Sequence, residues 1–358
     1  MDIFNISVML FFVCFFGATA FIINSNFKMD KGKYYREEKE EEIDDDNFEK
    51  IYANIKKNAN PAELNKLNYF AKRESDREIR ILIAMFLGII LAFLGFYRNM
   101  LFLYIGLAIL IACIIWGRKN LSSIYLKKYK EMYKKTVIPE LLNSYEEKIE
   151  YTPEQGFSRE MYKYADFEKF DYYNTDDLMK IIFKNNTKAF LAEVKTEITV
   201  SDNDGGTSKE TLFHGVIVEA KLKNNYDKVL CLKRDSKKIY KNSIIKNIPK
   251  VELDSLDFEN DFDVYSTDGI FAMRVLTHDL MEELTKFEKD NNINVELTIK
   301  EDKIFIRFFT GGIFEAPLGS KSALNKPTLY RYYKILNFTF DFVYRMTEVL
   351  NNIEDWYS

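Results

Sequence analysis

Few side chains in this chain are suited to catalysis. Its two histidines, His214 and His278, lie neither in an HExxH spacing nor near a CxxC pair, so a zinc hydrolase would lack its ligands. Cys231 has cationic neighbours that would lower a thiol pKa, but it falls in an alternating β pattern that favours a buried, inert thiol. The sequence therefore predicts no catalytic residue, no metal site and no cofactor.

Arg274 is the charged residue that most needs an explanation. It alternates with Ala272 and Leu276, so on an extended strand all three would point to one face, and a charge among apolar side chains needs solvent or a partner. An internal ion pair with Asp268 or Glu315 is the first interpretation, and a carboxylate or phosphate of a ligand is the alternative. We therefore take Arg274 and Asp268 as candidate contacts for a ligand or a partner.

A predicted α+β domain positions these residues. After Tyr151 the hydrophobic pattern changes to period two, and Ala189–Val200 and Thr211–Leu222 form a long hairpin across a turn-rich connector. Further strands are predicted at Val229–Leu232, Val251–Leu253, Phe262–Tyr265 and Ile270–Leu276, and a second hairpin at Asn294–Ile299 and Lys303–Phe309. Helices come late, one capped by Thr277 and one closing the chain. Antiparallel strand pairs followed by helices indicate an antiparallel-sheet α+β fold.

Two uncharged apolar runs precede this domain. Ile81–Tyr97 and Met100–Trp116 are separated only by Arg98 and Asn99. Each run approaches the length of about 17 to 25 residues that a transmembrane helix needs. The pattern predicts a transmembrane helical hairpin, and the alternative is a buried hairpin in the core of a large soluble domain.

The basic residues beside the apolar runs predict their orientation. Lysines and arginines cluster before Ile81 and after Trp116, whereas Arg98 is alone in the turn, so both ends of the hairpin are expected to face the cytoplasm. An earlier apolar stretch, Ile6–Ile23, is followed by basic residues and is predicted to be a retained anchor with its amino end outside. A cleaved signal peptide is the alternative for that stretch.

These features divide the chain into five segments. The block Glu37–Asp46 is dominated by carboxylates that repel one another, so it is expected to be a solvated linker, followed by two short amphipathic helices up to Phe70. The predicted segments are an N-terminal transmembrane anchor (1–24), an acidic cytoplasmic linker with short helices (25–80), the transmembrane hairpin (81–117), a basic juxtamembrane helix (118–150) and the cytoplasmic α+β domain (151–358).

The juxtamembrane helix carries a cluster of lysines that are candidate contacts for lipid headgroups. These lysines are Lys127, Lys128, Lys130, Lys134 and Lys135. Cations this close to a membrane are attracted by anionic lipids, and a solvated helix face is the alternative interpretation.

The composition excludes some partners. A formal charge of −4 and a pI of about 5.6 do not give the basic field of a nucleic-acid-binding protein. Of the three cysteines, only Cys231 lies outside the predicted membrane runs, so the soluble part has no disulfide framework. That pattern agrees with a reducing cytoplasm.

Several segments occur in the order found in a known family. They are FHGVIVEAKLKNNY, then VELDSLDFENDFDVYSTDGIFAMRVLTHDLMEEL, then IFIRFF and IFEAPL. From about Tyr125 to Leu318 the chain resembles the bacterial family called domain of unknown function 3137. The resemblance implies an inner-membrane protein with a hydrophobic hairpin ahead of a cytoplasmic domain, and another membrane protein as its partner. The chain departs from the family at His278, where a proline usually begins the helix.

These observations lead to one functional hypothesis and two alternatives. The leading hypothesis is a non-enzymatic, membrane-anchored adaptor whose α+β domain binds a protein partner or the membrane surface. The first alternative is an enzyme that acts on a membrane-associated substrate through carboxylates and Arg274. The second is a sensor of anionic lipids that uses the basic juxtamembrane helix.

Overall fold

The computed structural model describes residues 43–98, 100–119, 124–201, 206–234, 247–317 and 323–353. The predicted anchor Ile6–Ile23 and most of the acidic block lie outside the described residues. The helices are α1 Asp46–Asn58, α2 Pro61–Arg98, α3 Met100–Lys119, α4 Ile124–Leu142, α5 Arg159–Ala165, α6 Leu256–Asp261, α7 Gly269–Val275, α8 His278–Asn291 and α9 Lys326–Asn352. The strands are β1 Lys148–Thr152, β2 Tyr172–Ile182, β3 Lys188–Ser201, β4 Thr207–Arg234, β5 Lys250–Val251, β6 Phe262–Ser266 and β7 Val295–Phe308.

The first described helix agrees with the sequence pattern, whereas the second is longer than the pattern predicts. Asp45 caps α1 by accepting a hydrogen bond from the Phe48 N–H at 2.9 Å, which satisfies one of the free donors of the first turn. Helix α2 begins at Pro61, which suits a first helical position because it lacks an N–H. It does not stop near Phe70 but continues to Arg98, so the second linker helix and the first apolar run are one helix.

Helices α2 and α3 form the predicted hairpin and pack closely through small residues. A Cβ added at Gly95 would lie 1.9 Å from the Leu103 backbone nitrogen, and one added at Gly106 would lie 2.4 Å from the Ala92 nitrogen. Close backbone approach at small residues is typical of helices that associate in membranes. Among the described residues, Ile79–Phe96 is the helical window long and apolar enough to span a membrane, and Met100–Ile115 is a shorter apolar helix.

The hairpin does not lie inside the core of the domain. Only 17% of the Ile79–Phe96 window is buried, and large apolar side chains such as Leu82 and Phe86 are each 63% exposed. The alternative of a buried core hairpin is therefore wrong for the described residues.

Every described strand belongs to one seven-stranded sheet in which all pairs are antiparallel. The order is β1-β2-β3-β4-β6-β5, and β7 also pairs with β4. The long strand β4 is central, because its first part pairs with β3, its last part with β6, and β7 lies along its other edge. The predicted α+β fold with an antiparallel sheet is confirmed.

The predicted hairpin at Asn294–Ile299 and Lys303–Phe309 is wrong. A single strand, β7, runs through the charged residues between them. It pairs with β4 both before and after those residues. The register of that pairing shifts here, and Glu301 has a φ of 55°, so the polar break marks an irregularity in a continuous strand. For the same reason Val229–Leu232 is the end of β4 and not a separate strand.

The predicted strand Ile270–Leu276 is also wrong, because this segment forms helix α7. Asp268, which resembles a turn residue, caps that helix by accepting hydrogen bonds from the Ile270 and Phe271 N–H groups at 2.9 and 3.1 Å. A short apolar run does not distinguish a strand from a helical turn, and here the capping carboxylate decides between them. Arg274 therefore lies on a helix and not on a strand.

The late helices agree with the sequence pattern. The Thr277 side chain accepts a hydrogen bond from the Leu280 N–H and caps α8, as predicted. Helix α9 buries the predicted apolar face, including Leu329, Tyr332 and Leu336. The sequence analysis missed β1 and β2, which form the outer part of the sheet, and the short helix α5 between them.

Candidate functional site

Arg307 lies at the centre of a buried group of charged side chains. It is on β7 within the sequence IFIRFF, and it is only 1% exposed. Its Nε and Nη2 donate to Oε2 of Glu296 at 2.8 and 2.6 Å, and its Nη1 donates to the Tyr162 hydroxyl at 3.1 Å and to Glu168. With Lys233, these residues form what we call the Arg307 network.

The charges of the Arg307 network compensate one another. The Lys233 ammonium lies 3.1 Å from Oε2 of Glu296, and both cations lie over the ring of Phe167. Burial alone would raise the pKa of Glu296, but Arg307 and Lys233 outweigh it and hold that pKa at about 2. Because its charges face partners inside the protein, the network is suited to joining α5, β4 and β7 and not to binding a ligand.

A second polar group lies at the surface of strands β2, β3 and β4. These strands frame a cavity of about 300 Å³, which we call the polar cavity. Its lining residues are Asn174, Thr175, Asp176, Glu193, Lys195 and His214. The antiparallel register places Asp176 opposite Glu193 and Lys195 opposite His214. Two carboxylates directly opposite each other repel, so this register needs cations or hydrogen-bond donors nearby.

Glu193 is held by two donors at the floor of the polar cavity. Its Oε1 lies 3.1 Å from Nε2 of His214, and its Oε2 accepts a hydrogen bond from the Ile313 N–H at 2.9 Å. Lys195 is paired with Glu197 at 2.8 Å on the same strand. The cavity is thus lined by a carboxylate, an imidazole and an ammonium group that are each paired within the protein.

Asp177 lies beside the cavity in an unusual conformation. The pairing of β2 with β3 shifts register after Asp176, and Asp177 has a φ of 58°, in the left-handed region that side chains rarely adopt. Its buried carboxylate accepts a hydrogen bond from the Tyr151 hydroxyl and pairs with Lys134, which also lies 2.6 Å from Asp176. Burial raises the pKa of Asp177 to about 7, against the opposing effect of Lys134.

The carboxylates beside the cavity have the spacing of a metal site. Oxygens of Asp176, Asp177 and Glu193 lie within 4.8 Å of one another. However, the Lys134 ammonium contacts both aspartates and already supplies a positive charge. A divalent cation would have to displace Lys134, so these residues do not fit a resident metal in this arrangement.

Arg274 is not part of either polar group. It is exposed on α7, and its two predicted partners pair elsewhere: Asp268 with Lys228 at 3.2 Å and Glu315 with Lys130 at 2.6 Å. The predicted internal ion pair is therefore wrong within the described part of the chain. Contact of Arg274 or Asp268 with a ligand or a partner stays a prediction.

The candidate headgroup lysines divide into two sets. Lys130, Lys134 and Lys135 face carboxylates of the domain, namely Glu315, Asp176 with Asp177, and Glu154. In contrast, Lys127 is 74% exposed at its side chain, and Lys128 is exposed as well. In the described residues, the second set makes no ion pair with the sheet or its loops.

Sequence reasoning missed the residues that form both polar groups. The reasoning that singled out Arg274 applies more strongly to Arg307, which follows three apolar residues and precedes two in KIFIRFF. Glu193 in AFLAEV is a charge in a similarly apolar strand. A charge within a strongly apolar strand was thus the available signal, whereas no sequence signal marks the left-handed Asp177.

Comparisons with known proteins show a family resemblance for part of the chain. No curated protein matches it. Among solved structures, the crystal structure of the mycobacterial trehalose monomycolate transport factor A, TtfA, matches with a TM-score of 0.32 and 10% identity, covering 57% of this chain and 85% of that one. A TM-score this low supports no conclusion about this chain. The family model described as "Protein of unknown function (DUF3137)" matches residues 211–347, from β4 into α9. Over that part, the chain resembles this family.

Proposed function

We propose that this chain is a membrane-anchored interaction protein that holds its α+β domain at the cytoplasmic surface of a bacterial inner membrane. The exposed apolar surface of the α2–α3 hairpin carries the proposal. Soluble monomers rarely expose contiguous apolar patches larger than a few hundred Å². Here large apolar side chains along both helices are exposed, including Leu82, Phe86, Leu101 and Ile111.

The continuity of α2 supports a domain that stays close to the membrane. Near its start, Leu67 is fully buried and the Asn68 side chain accepts a hydrogen bond from the Ala323 N–H at 3.1 Å. The same helix then continues into the apolar window at Ile79–Phe96. A single helix that is packed into the domain at one end and inserted at the other leaves little freedom between them.

Topology reporters test the anchoring and its direction. The proposal includes Ile6–Ile23 as a further span, so a reporter after Ser358 and one inserted near Asp45 should both report cytoplasm. A reporter at Asn99 should report the outside. Finding the Asp45 reporter outside would contradict the three-span arrangement, and finding the Asn99 reporter inside would contradict the hairpin.

The outward side of α7 supports an interaction role for the domain. Ile270 and Met273 are 56% and 48% exposed, and Arg274 is exposed beside them in the same helix. Residues spaced three and four apart share a helix face, so these side chains present a mixed apolar and cationic surface. We propose that this surface contacts a protein partner, such as another membrane protein.

Photocrosslinking in cells tests this contact. A photoreactive residue at Ile270 should give a discrete adduct, and the same residue at the exposed Lys286 of α8 should not. Adducts of equal yield at both positions would indicate random collision and would count against the α7 surface.

The enzyme alternative is favoured by one observation, the raised pKa of Asp177 beside Glu193 and His214. Arg274, which that hypothesis also needs, lies outside the cavity. If a deletion strain shows a phenotype, Glu193→Gln separates the two roles. Failure of Glu193→Gln to rescue, with unchanged crosslinking at Ile270 and unchanged membrane insertion, would favour the enzyme.

A further inference from the structure

The helices beside the membrane hairpin carry a group of exposed basic side chains. On α2 these are Lys72, Arg73 and Arg80, and on α4 they are Lys127 and Lys128. We call these five residues the basic collar. On α2 they alternate with Glu74, Asp76 and Glu78, so the basic collar is a set of exposed cations among acidic residues and not a strongly basic segment.

The two halves of the basic collar lie side by side. Tyr125 at the start of α4 lies 6.3 Å from Phe70 on α2, measured between ring centroids. The Arg73 guanidinium stacks over the Tyr69 ring at 5.3 Å, and its Nε donates to the Tyr69 hydroxyl at 3.1 Å. Lys127 and Lys128 follow Tyr125 on α4 and therefore lie near the level of Phe70 and Arg73 on α2.

Arg80 lies at the height of the headgroup layer, and Lys72 and Arg73 lie within reach of its charge. Arg80 directly precedes the apolar run, and Arg73 lies about 10 Å further along the helix at 1.5 Å per residue. The interfacial layer on each side of the hydrocarbon is about 5 to 7 Å thick, and charges act over a Debye length of about 8 Å at physiological salt.

Few carboxylates of the described residues neutralise these cations. Lys127 lies 3.8 Å from Glu131, a loose and exposed pair, and Arg80 donates to the backbone oxygen of Asp76. Within the described residues, no carboxylate pairs with Lys72 or Lys128. In contrast, Lys130 and Lys134 on the same helix α4 are turned towards the domain and are paired there.

We infer that the basic collar binds the headgroups of anionic phospholipids in the leaflet that faces the domain. This inference rests on the proposed membrane anchoring and specifies which lipid the chain selects. It divides the lysines of α4 by function, because Lys127 and Lys128 contact lipid whereas Lys130 and Lys134 hold the helix against the sheet.

Fluorescence quenching by brominated lipids tests the inference on the full chain. The sequence has two tryptophans, so a Trp356→Phe background leaves Trp116, near the end of α3, as the single reporter. The chain is reconstituted into vesicles in which either phosphatidylglycerol or phosphatidylcholine carries bromine on its acyl chains. The ratio of the two quenching efficiencies measures the preference for the anionic lipid around the protein.

The native chain should prefer phosphatidylglycerol severalfold at low salt and less at high salt. Replacement of Lys72, Arg73, Lys127 and Lys128 by glutamine should bring the ratio towards one. The matched control replaces the exposed lysines Lys148, Lys180, Lys188 and Lys286, which lie away from the collar in sequence, by glutamine and should keep the preference.

Four other results would contradict the inference or the membrane anchoring on which it rests. Equal quenching by the two lipids in the native chain, an unchanged preference in the collar variant, or a loss of preference in the control variant would overturn the inference. Quenching by neither lipid would show that Trp116 is outside the bilayer and would contradict the membrane anchoring itself.

Discussion

The Arg307 network and the polar cavity are both built from charged side chains, but their charges are compensated differently. In the network, two cations face Glu296 and hold its pKa at about 2. Beside the cavity, Lys134 is shared by two aspartates, and the pKa of Asp177 is raised to about 7. The first group joins elements of the fold, whereas the second keeps an incompletely compensated buried carboxylate and a left-handed residue beside the polar cavity, as functional sites often do.

The largest effect should follow from breaking the Arg307 network. Arg307→Ala leaves Glu296 and Glu168 without their main cation in the protein interior. Removing one member of a buried ion pair costs about 3 to 5 kcal/mol, which is a large part of a typical domain's stability. Thermal melting of the purified full chain in detergent should show the loss.

Arg307→Lys tests whether the positive charge alone is enough to stabilise the network. Lysine keeps the charge but cannot donate from three nitrogens to Glu296, Tyr162 and Glu168 at once, so we expect an intermediate loss of stability. Melting of Arg307→Ala within the error of the native chain would show that the network contributes little, and the contrast with the cavity would be lost.

The next effect should come from Gly215, which lies between the two groups on β4. A Cβ at Gly215 would lie 1.9 Å from the Phe308 carbonyl oxygen, so β4 and β7 must separate in Gly215→Ala. Forcing extra volume into a close-packed contact costs about 1 to 3 kcal/mol. The matched control is Gly269→Ala, whose Cβ would meet only Val251 at an ordinary 3.8 Å. Equal melting temperatures for the two variants would contradict this close approach.

Asp177→Asn tests whether the carboxylate beside the cavity makes the free energy of unfolding depend on pH. A carboxyl group whose pKa is raised on folding contributes stability that is complete below its unfolded pKa of about 3.9 and is lost as the pH rises through its folded value. For Asp177 that window extends from about pH 4 to pH 7. Asparagine does not titrate, so the Asp177→Asn variant does not lose this stability as the pH rises. Its free energy of unfolding minus that of the native chain should therefore increase from pH 4 to pH 7, by at most about 1.4 kcal/mol per pH unit.

The difference between the two melting curves isolates this effect. Burial also raises the pKa of Glu288 to about 7, but Glu288 is present in both proteins and cancels in the difference. Lys134, Asp176 and Tyr151, the charged and titratable groups that contact Asp177 or its partner, remain in place. Parallel curves from pH 4 to 8 would show that Asp177 does not titrate in this range.

Local patterns predicted much of the fold but little of the two polar groups. The β3–β4 hairpin, the Thr277 cap and the face of α9 follow from neighbouring residues, and the structure has all three. The Arg307 network joins Glu168, Lys233 and Glu296, whose proximity depends on the register of distant segments. The left-handed backbone of Asp177 likewise has no local signature. Helix α7 was mistaken for a strand because seven residues contain too few turns to show a helical period.

The smallest effect should come from Arg274, which belongs to neither polar group. It is exposed on α7, and no carboxylate of the described residues pairs with it. Surface substitutions away from special features usually change stability by no more than about 0.5 kcal/mol, so Arg274→Ala and Arg274→Lys should melt like the native chain. If the α7 surface binds a partner, Arg274→Ala should still weaken crosslinking at Ile270, because binding and folding depend on different contacts of this side chain. A fall in melting temperature as large as that of Arg307→Ala would instead show that Arg274 has a buried partner, and the distinction between exposed and networked arginines would fail.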